Sequence, residues 1–319
     1  MQRADLAIQT IGLSKNFGNF TALKDLNLQI EPNSVYGFLG PNGSGKTTTI
    51  KLLTGLSQPS AGHSYIYGID SADRSLQTRH LIGYLPDVPS FHKYMTGLQS
   101  LVLCGELFGF SHNDAQKRAY VQLERTGLME AAHRKTGGYS RGMKQRLGLA
   151  AALIGDPRVL FLDEPVSALD PNGRSAVLEI IKDLKESKTI FLSTHILSDV
   201  ERICDKVGII FEGELIVSQN VSDLKKKYSQ NRFLLRFDQD PTPLLAQIQR
   251  QAWCIDAHVG KNEEGVLTLL VHATDENKAK NELPQIATQR GFTLTRYEIV
   301  QPSLEDIFMQ LTGARNARV

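Results

Sequence analysis

Gly40-Pro41-Asn42-Gly43-Ser44-Gly45-Lys46-Thr47 sets two glycines, a lysine and a hydroxyl at the spacing G-x-x-x-x-G-K-[ST]. Glycines so placed let successive backbone N–H groups turn inward, and a helix opening at Thr48 would add the partial positive charge of its N-terminus. That arrangement suits phosphate oxygens. Lys46 would reach the outer phosphates of a nucleotide, and the Thr47 hydroxyl would ligate Mg²⁺. A second cluster, Val159-Leu160-Phe161-Leu162-Asp163-Glu164, is an apolar run that stops on two acids. Asp163 would hold Mg²⁺ through water, and Glu164, one residue on, would polarise an attacking water. By itself the first motif could be a glycine-rich turn and the second an acidic helix cap, but each raises the weight of the other.

Both motifs need particular elements around them. Val35–Leu39 reads as a buried strand leading into the glycine loop, with a helix over residues 48–54 after it. Residues 159–162 form another such strand, whose acids would emerge at the carboxyl edge of a sheet, where nucleotides sit in such folds. Together these features describe a P-loop NTPase. Residues 189–192 make a third short apolar run, and helical patterns follow each run, which predicts an α/β fold with a mainly parallel sheet. Residues 97–155 contain no strand pattern and read as a helical insert.

Beyond residue 228 the pattern restarts. Strand-like runs at 233–237, 255–259, 266–271 and 292–299 alternate with helical segments at 241–251 and 276–290, and Gly260-Lys261-Asn262-Glu263-Glu264-Gly265 marks a hairpin turn. The order βαββαβ predicts a ferredoxin-like domain, followed by a helix over 303–311. Pro284 inside the second helix predicts either a late start or a kink. The domains are therefore set at 1–228 and 232–319, with Tyr228-Ser229-Gln230-Asn231 as linker.

The 319 residues are 41% hydrophobic and 22% charged, a balance that permits two globular cores. A net charge of +2, with Lys225-Lys226-Lys227 as the one clear basic run, gives no footprint for nucleic acid, and the run reads as a solvated helix end. Three scattered cysteines, Cys104, Cys204 and Cys254, exclude a CxxC metal site and argue against a disulfide framework; each reads as a small buried apolar residue. The best apolar stretch, 101–110, is shorter than the roughly 20 residues of a membrane-spanning helix and carries Glu106. Met1–Asp5 lacks the apolar segment of a signal peptide.

Tyr139-Ser140-Arg141-Gly142-Met143-Lys144-Gln145-Arg146, ahead of a helical run and upstream of the acidic strand, resembles the signature motif of ABC ATPases, usually LSGGQ followed by Gln-Arg. Tyr139, Arg141 and Met143 depart from the commonest form. Ser167-Ala168-Leu169-Asp170 resembles the family's D-loop, and His195 its switch histidine. Phe17 resembles the aromatic residue that stacks on adenine, against the bland reading of a core Phe. Asp87, in Gly83-Tyr84-Leu85-Pro86-Asp87, stands where the family commonly has Gln. Ser303-Leu304-Glu305-Asp306-Ile307-Phe308 resembles the export-type ATPases that serve a membrane partner of the ABC-2 class.

The resemblance, which covers residues 6 to about 220, implies an ABC cassette with a helical subdomain, followed by a small α+β domain. It implies ATP and Mg²⁺ as ligands. Phe17, Gly40, Pro41, Asn42, Gly43, Ser44, Gly45, Lys46, Thr47, Thr48, Ser140 and Gly142 would bind ATP. Thr47, Asp87 and Asp163 would serve the metal, Glu164 and His195 the hydrolysis, and Asp170 the subunit interface. Two copies would meet head to tail, with Arg141 adding positive charge near the opposing nucleotide. A separate membrane-spanning subunit would carry out export and hold this chain at the cytoplasmic face. The competing readings are a ribosome-binding factor, which would need two cassettes, and a DNA-associated ATPase, which would need heptad arms or zinc motifs.

Overall fold

The structure, a computed structural model, describes residues 6–72, 76–167, 169–228, 231–261, 265–300 and 303–316. Met1–Asp5, Ala168, Ser229, Gln230 and Asn262–Glu264, all used in the sequence reading, lie outside the described residues. The chain divides into two compact units, Met1–Val221 and Ser222–Val319.

The first unit holds two sheets. Strands β1 (Ile8–Phe17), β2 (Phe20–Ile30), β4 (Ala61–Ile66) and β5 (Ile69–Asp70) form an antiparallel sheet in the order β2-β1-β4-β5. The central sheet has the order β10-β9-β3-β8-β7-β6, built from β3 (Val35–Leu39), β6 (Ile82–Leu85), β7 (Val159–Asp163), β8 (Thr189–Thr194), β9 (Lys206–Phe211) and β10 (Glu214–Asn220). All its neighbours are parallel except β10, which returns antiparallel to β9. Every residue of β3, β7 and β8 is buried, as a strand covered on both faces requires.

Helix α1 (Lys46–Leu53) follows β3 and α2 (Leu76–Leu81) precedes β6. Residues 97–155 carry three helices, α3 (Gly97–Leu107), α4 (His112–Arg125) and α5 (Arg141–Leu153). Helices α6 (Pro171–Leu184) and α7 (Leu197–Ile203) lie between the strands that follow. One core joins the antiparallel sheet, α1 and one face of the central sheet through Leu26, Ile30, Ile50, Phe38, Phe161 and Phe191. Leu160, Leu162, Ile190 and Leu192 pack on the other face against Val177 and Ile181 of α6 and Leu149 and Leu153 of α5. The opposite side of α5, through Leu147, Ala150 and Ile154, completes a separate core with α3 and α4. A helix apolar on both sides thus fastens the helical insert to the sheet.

The second unit begins with α8 (Val221–Tyr228), whose last turn carries Lys225, Lys226 and Lys227, a favourable place for cations beside the helix carbonyls. Strands β11 (Arg232–Phe237), β12 (Cys254–Lys261), β13 (Leu267–Ala273) and β14 (Leu294–Val300) form an antiparallel sheet in the order β12-β13-β11-β14. With α9 (Thr242–Gln249) and α10 (Glu276–Gln289) packed on one face, this is the ferredoxin-like arrangement; α11 (Leu304–Asn316) ends the described chain. The late start predicted for α10 does not occur. Asp275 caps its first turn by accepting from the Lys278 N–H at 3.1 Å, and the helix runs on through Pro284. The cysteines also differ from expectation, since all three are free but only partly buried. Burial, helped by the charges of Asp205 and Asp199, holds the Cys204 thiol well above its usual range.

Candidate functional site

The glycine loop and the two acids converge because β3 and β7 flank β8, with all three strands pointing the same way. Gly45 ends the loop with φ 108°, a left-handed conformation that glycine adopts without strain, and a Cβ there would lie 2.6 Å from the Ala22 carbonyl oxygen. The turn is closed by the Ser44 N–H donating to the Pro41 carbonyl at 3.2 Å. Lys46 folds back over it and donates to the Gly40 and Pro41 carbonyls at 2.8 and 3.3 Å. Ser44 Oγ is buried without a hydrogen-bond partner.

At the end of β7, Asp163 is buried and accepts from the Ser193 hydroxyl of β8. Glu164 then takes φ 47°, a conformation that costs a non-glycine residue about 1 kcal/mol. Its N–H donates to Ser193 O at 3.1 Å and to Ser193 Oγ at 3.2 Å, which pins the turn. The Glu164 carboxylate consequently sits between the side chains of Lys46 and His195. Lys46 Nζ is 3.3 Å from Oε1, close enough for an ion pair but not aligned as a hydrogen bond, and His195 Nδ1 is 2.9 Å from Oε2. His195 follows β8 directly, and its side chain is 47% exposed while that of Glu164 is 12% exposed.

A cleft of about 320 Å³ opens over this group, lined by Phe17, Phe20, Ala22, Asn42, Gly43, Gly45, Lys46, Thr47, Thr48, Asp87 and Glu164. Phe17 is 54% exposed at the β1–β2 turn, so it is not a core residue, and Lys15 Nζ lies 5.1 Å from its ring centre. Phe20, its cross-strand partner, is exposed beside it; sequence reasoning missed this second aromatic, although the pair brackets the turn Gly18-Asn19. Asp87 Oδ1 accepts from Ser167 Oγ at 3.2 Å, and the same hydroxyl donates to the Glu164 carbonyl at 3.1 Å, so Ser167 ties the cleft wall to the turn after β7. Burial, together with the negative charges of Asp163 and Asp87, pushes the nearby Tyr84 phenol up to about 12.

Ser140, Gly142 and Asp170 do not line this cleft. Ser140 is exposed and caps α5, accepting from the Met143 N–H at 3.2 Å. Asp170 is exposed at the cap position of α6, whose first residue is Pro171. The hard oxygens of Thr47, Asp87 and Asp163 suit a small divalent cation that keeps several waters. Among the described residues, no group of three or more His, Cys, Asp or Glu side chains could hold a metal unaided.

Residues 23–167 match the family described as ABC transporter, and residues 220–312 match the one described as ATP-binding protein DrrA1-3-like, C-terminal domain. The uncharacterized ABC transporter ATP-binding protein YxlF of Bacillus subtilis is 38% identical over 302 residues, covering 95% of this chain and 98% of that protein. The bacitracin transport ATP-binding protein BcrA of Bacillus licheniformis is 33% identical over 311 residues, 96% of this chain and 97% of that one. Among solved structures, a dimeric ATP-binding cassette in a post-hydrolysis state with ADP and Pi is similar at a TM-score of 0.62 and 25% identity, covering 67% of this chain and 98% of that chain.

Proposed function

This chain belongs to the ABC transporter ATP-binding proteins, ATP-hydrolysing subunits of transporters, and from that membership we propose that it powers export through a separate membrane-spanning subunit. No helix among the described residues is long and apolar enough to cross a membrane. The reading therefore assigns the channel to a partner, with this chain held at the cytoplasmic face. The export-type sequence at Ser303–Phe308 supports that direction, and the likeness to a bacitracin transport protein supports a role in transport.

The observation that carries the catalytic reading is the Glu164 carboxylate, fixed by its turn between Lys46 and His195 and facing the cleft. In this reading the Gly40–Thr48 loop wraps the phosphates and Phe17 stacks on the base, while Thr47, Asp163 and Asp87 would hold Mg²⁺, whose charge would offset that of the phosphates. Lys46 turns from the loop carbonyls to the phosphates. Glu164 accepts the proton of the attacking water, and His195 keeps its carboxylate aimed. Ser140 and Gly142 face a nucleotide bound by a second copy, packed head to tail, and Asp170 lies at that interface.

The test is size-exclusion chromatography with light scattering on Glu164→Gln, with and without ATP. The variant loses the base but keeps Lys46, Thr47 and Asp163, so turnover falls about 10²–10⁴-fold while ATP still binds. At micromolar protein it is expected to run as a dimer with ATP and as a monomer without it, and adding Ser140→Arg abolishes the ATP-dependent dimer. Hydrolysis at the wild-type rate would remove Glu164 from its role. An ATP-bound variant that never dimerises would overturn the head-to-tail arrangement.

A further inference from the structure

The ferredoxin-like sheet ends on β14, which pairs with β11 on one side and, among the described residues, with no strand on the other. Four of its seven residues, Thr295, Arg296, Glu298 and Ile299, are exposed. An uncovered edge offers a row of backbone N–H and C=O groups to another strand. The side chains along this edge decide which strand that is.

Leu294-Thr295-Arg296-Tyr297-Glu298-Ile299-Val300 is complementary to its own reverse. When two copies run antiparallel with Tyr297 opposite Tyr297, each Arg296 faces Glu298 of the second copy. Thr295 then faces Ile299, and Leu294 faces Val300. Directly opposed residues share a face of the sheet and lie within side-chain reach, so both charge pairs form on one face. Moving the axis to residue 296 or 298 opposes like charges, which disfavours those registers.

Within its own sheet β14 does not meet this complement. The register sets Arg296 beside Arg236 and Glu298 beside Leu234. Arg296 and Glu298 contact each other along the strand at 2.7 Å, but both are about half exposed, and such pairs contribute little. At the opposite edge, β12 carries Asp256 and His258 around Ala257, a pattern that becomes complementary only with a charged imidazole. The guanidinium of Arg296 is charged at every relevant pH.

We propose that β14 is a self-pairing edge through which two copies of this chain join without nucleotide, their C-terminal sheets merging about a two-fold axis at Tyr297. The contact is isologous and closes at the dimer. A seven-residue strand makes a small interface, so the equilibrium belongs to high protein concentration or to copies already held together.

The experiment is sedimentation velocity on the nucleotide-free full chain, from micromolar to millimolar protein. The expected result is a monomer–dimer equilibrium with no larger species. Arg296→Glu alone, or Glu298→Arg alone, opposes like charges twice in the symmetric pair and should raise the dimer Kd about tenfold or more. The double variant Arg296→Glu/Glu298→Arg restores complementary pairs and should return the Kd to the wild-type value. Both positions are exposed, and circular dichroism of each variant confirms an unchanged fold. A chain that remains monomeric at millimolar concentration overturns the proposal. A dimer indifferent to the single reversals, or one the double variant fails to rescue, overturns it equally. Growth beyond the dimer would point to β14 pairing with β12 and would also overturn it.

Discussion

Glu164 is held by three separate constraints: a left-handed backbone turn, its N–H bonds to Ser193, and the flanking Lys46 and His195 side chains. A positioned carboxylate gives up less orientational freedom at the moment of reaction than a mobile one. His195 is the most accessible of the flanking groups, and its removal tests the clamp without touching the phosphate loop. His195→Ala is expected to lower kcat about 10²-fold, within the usual range for a group that assists proton transfer, and to leave nucleotide affinity nearly unchanged. Steady-state ATPase assays paired with fluorescent-nucleotide titration separate the two effects. Equal loss of affinity would mean that His195 acts on binding instead.

Among the elements, the glycine loop tolerates little change. A Cβ on Gly40 would stand 2.4 Å from the Ile210 carbonyl of β9 and 2.4 Å from Ser44 Oγ, so neither the neighbouring strand nor the loop has room for it. Gly40→Ala is therefore expected to displace the loop, weaken ATP binding at least about tenfold, and lower Tm by several degrees, as a clash of about 1–3 kcal/mol would. Isothermal titration and differential scanning calorimetry read the two losses. Helix α5 matters differently. It sets Ser140 at its cap while Leu149 and Leu153 lie in the sheet's core and Leu147 and Ala150 in that of the helical insert, so the motif's place follows both cores. In β1 the register shifts between Thr10 and Leu13, and again before Asn16, break the alternation that betrays a strand, whereas Leu26, Leu28 and Ile30 of β2 keep it.

For the whole molecule, the division at Val221/Ser222 falls at the head of α8, ahead of the linker predicted around Tyr228. Each unit owns a separate hydrophobic core, which is the usual condition for folding alone. A chain ending at Tyr228 keeps every residue of the cleft and is expected to bind ATP with wild-type affinity while losing the nucleotide-free self-association assigned to β14. Calorimetric titration and sedimentation on that chain check both halves of the expectation. A marked loss of ATP affinity would show that the nucleotide site needs the second unit.

Chemistry carried by consecutive residues was determined by the sequence alone. The loop proposed to hold phosphate and the acids proposed to act beside it are each runs of consecutive residues, so Gly40–Thr47 and Asp163-Glu164 could be picked out by local spacing. The order βαββαβ likewise followed from local periodicity. The tertiary structure decided which distant groups meet. His195 reaches Glu164 across 31 residues and Ser167 reaches Asp87 across 80, because the order β3-β8-β7-β6 brings together the ends of strands that are not consecutive in the chain. Phe20 joins the cleft only because the β1–β2 hairpin folds it beside Phe17. Sheet order follows from how helices and cores pack between strands, an energy summed over the whole unit that no window of sequence contains.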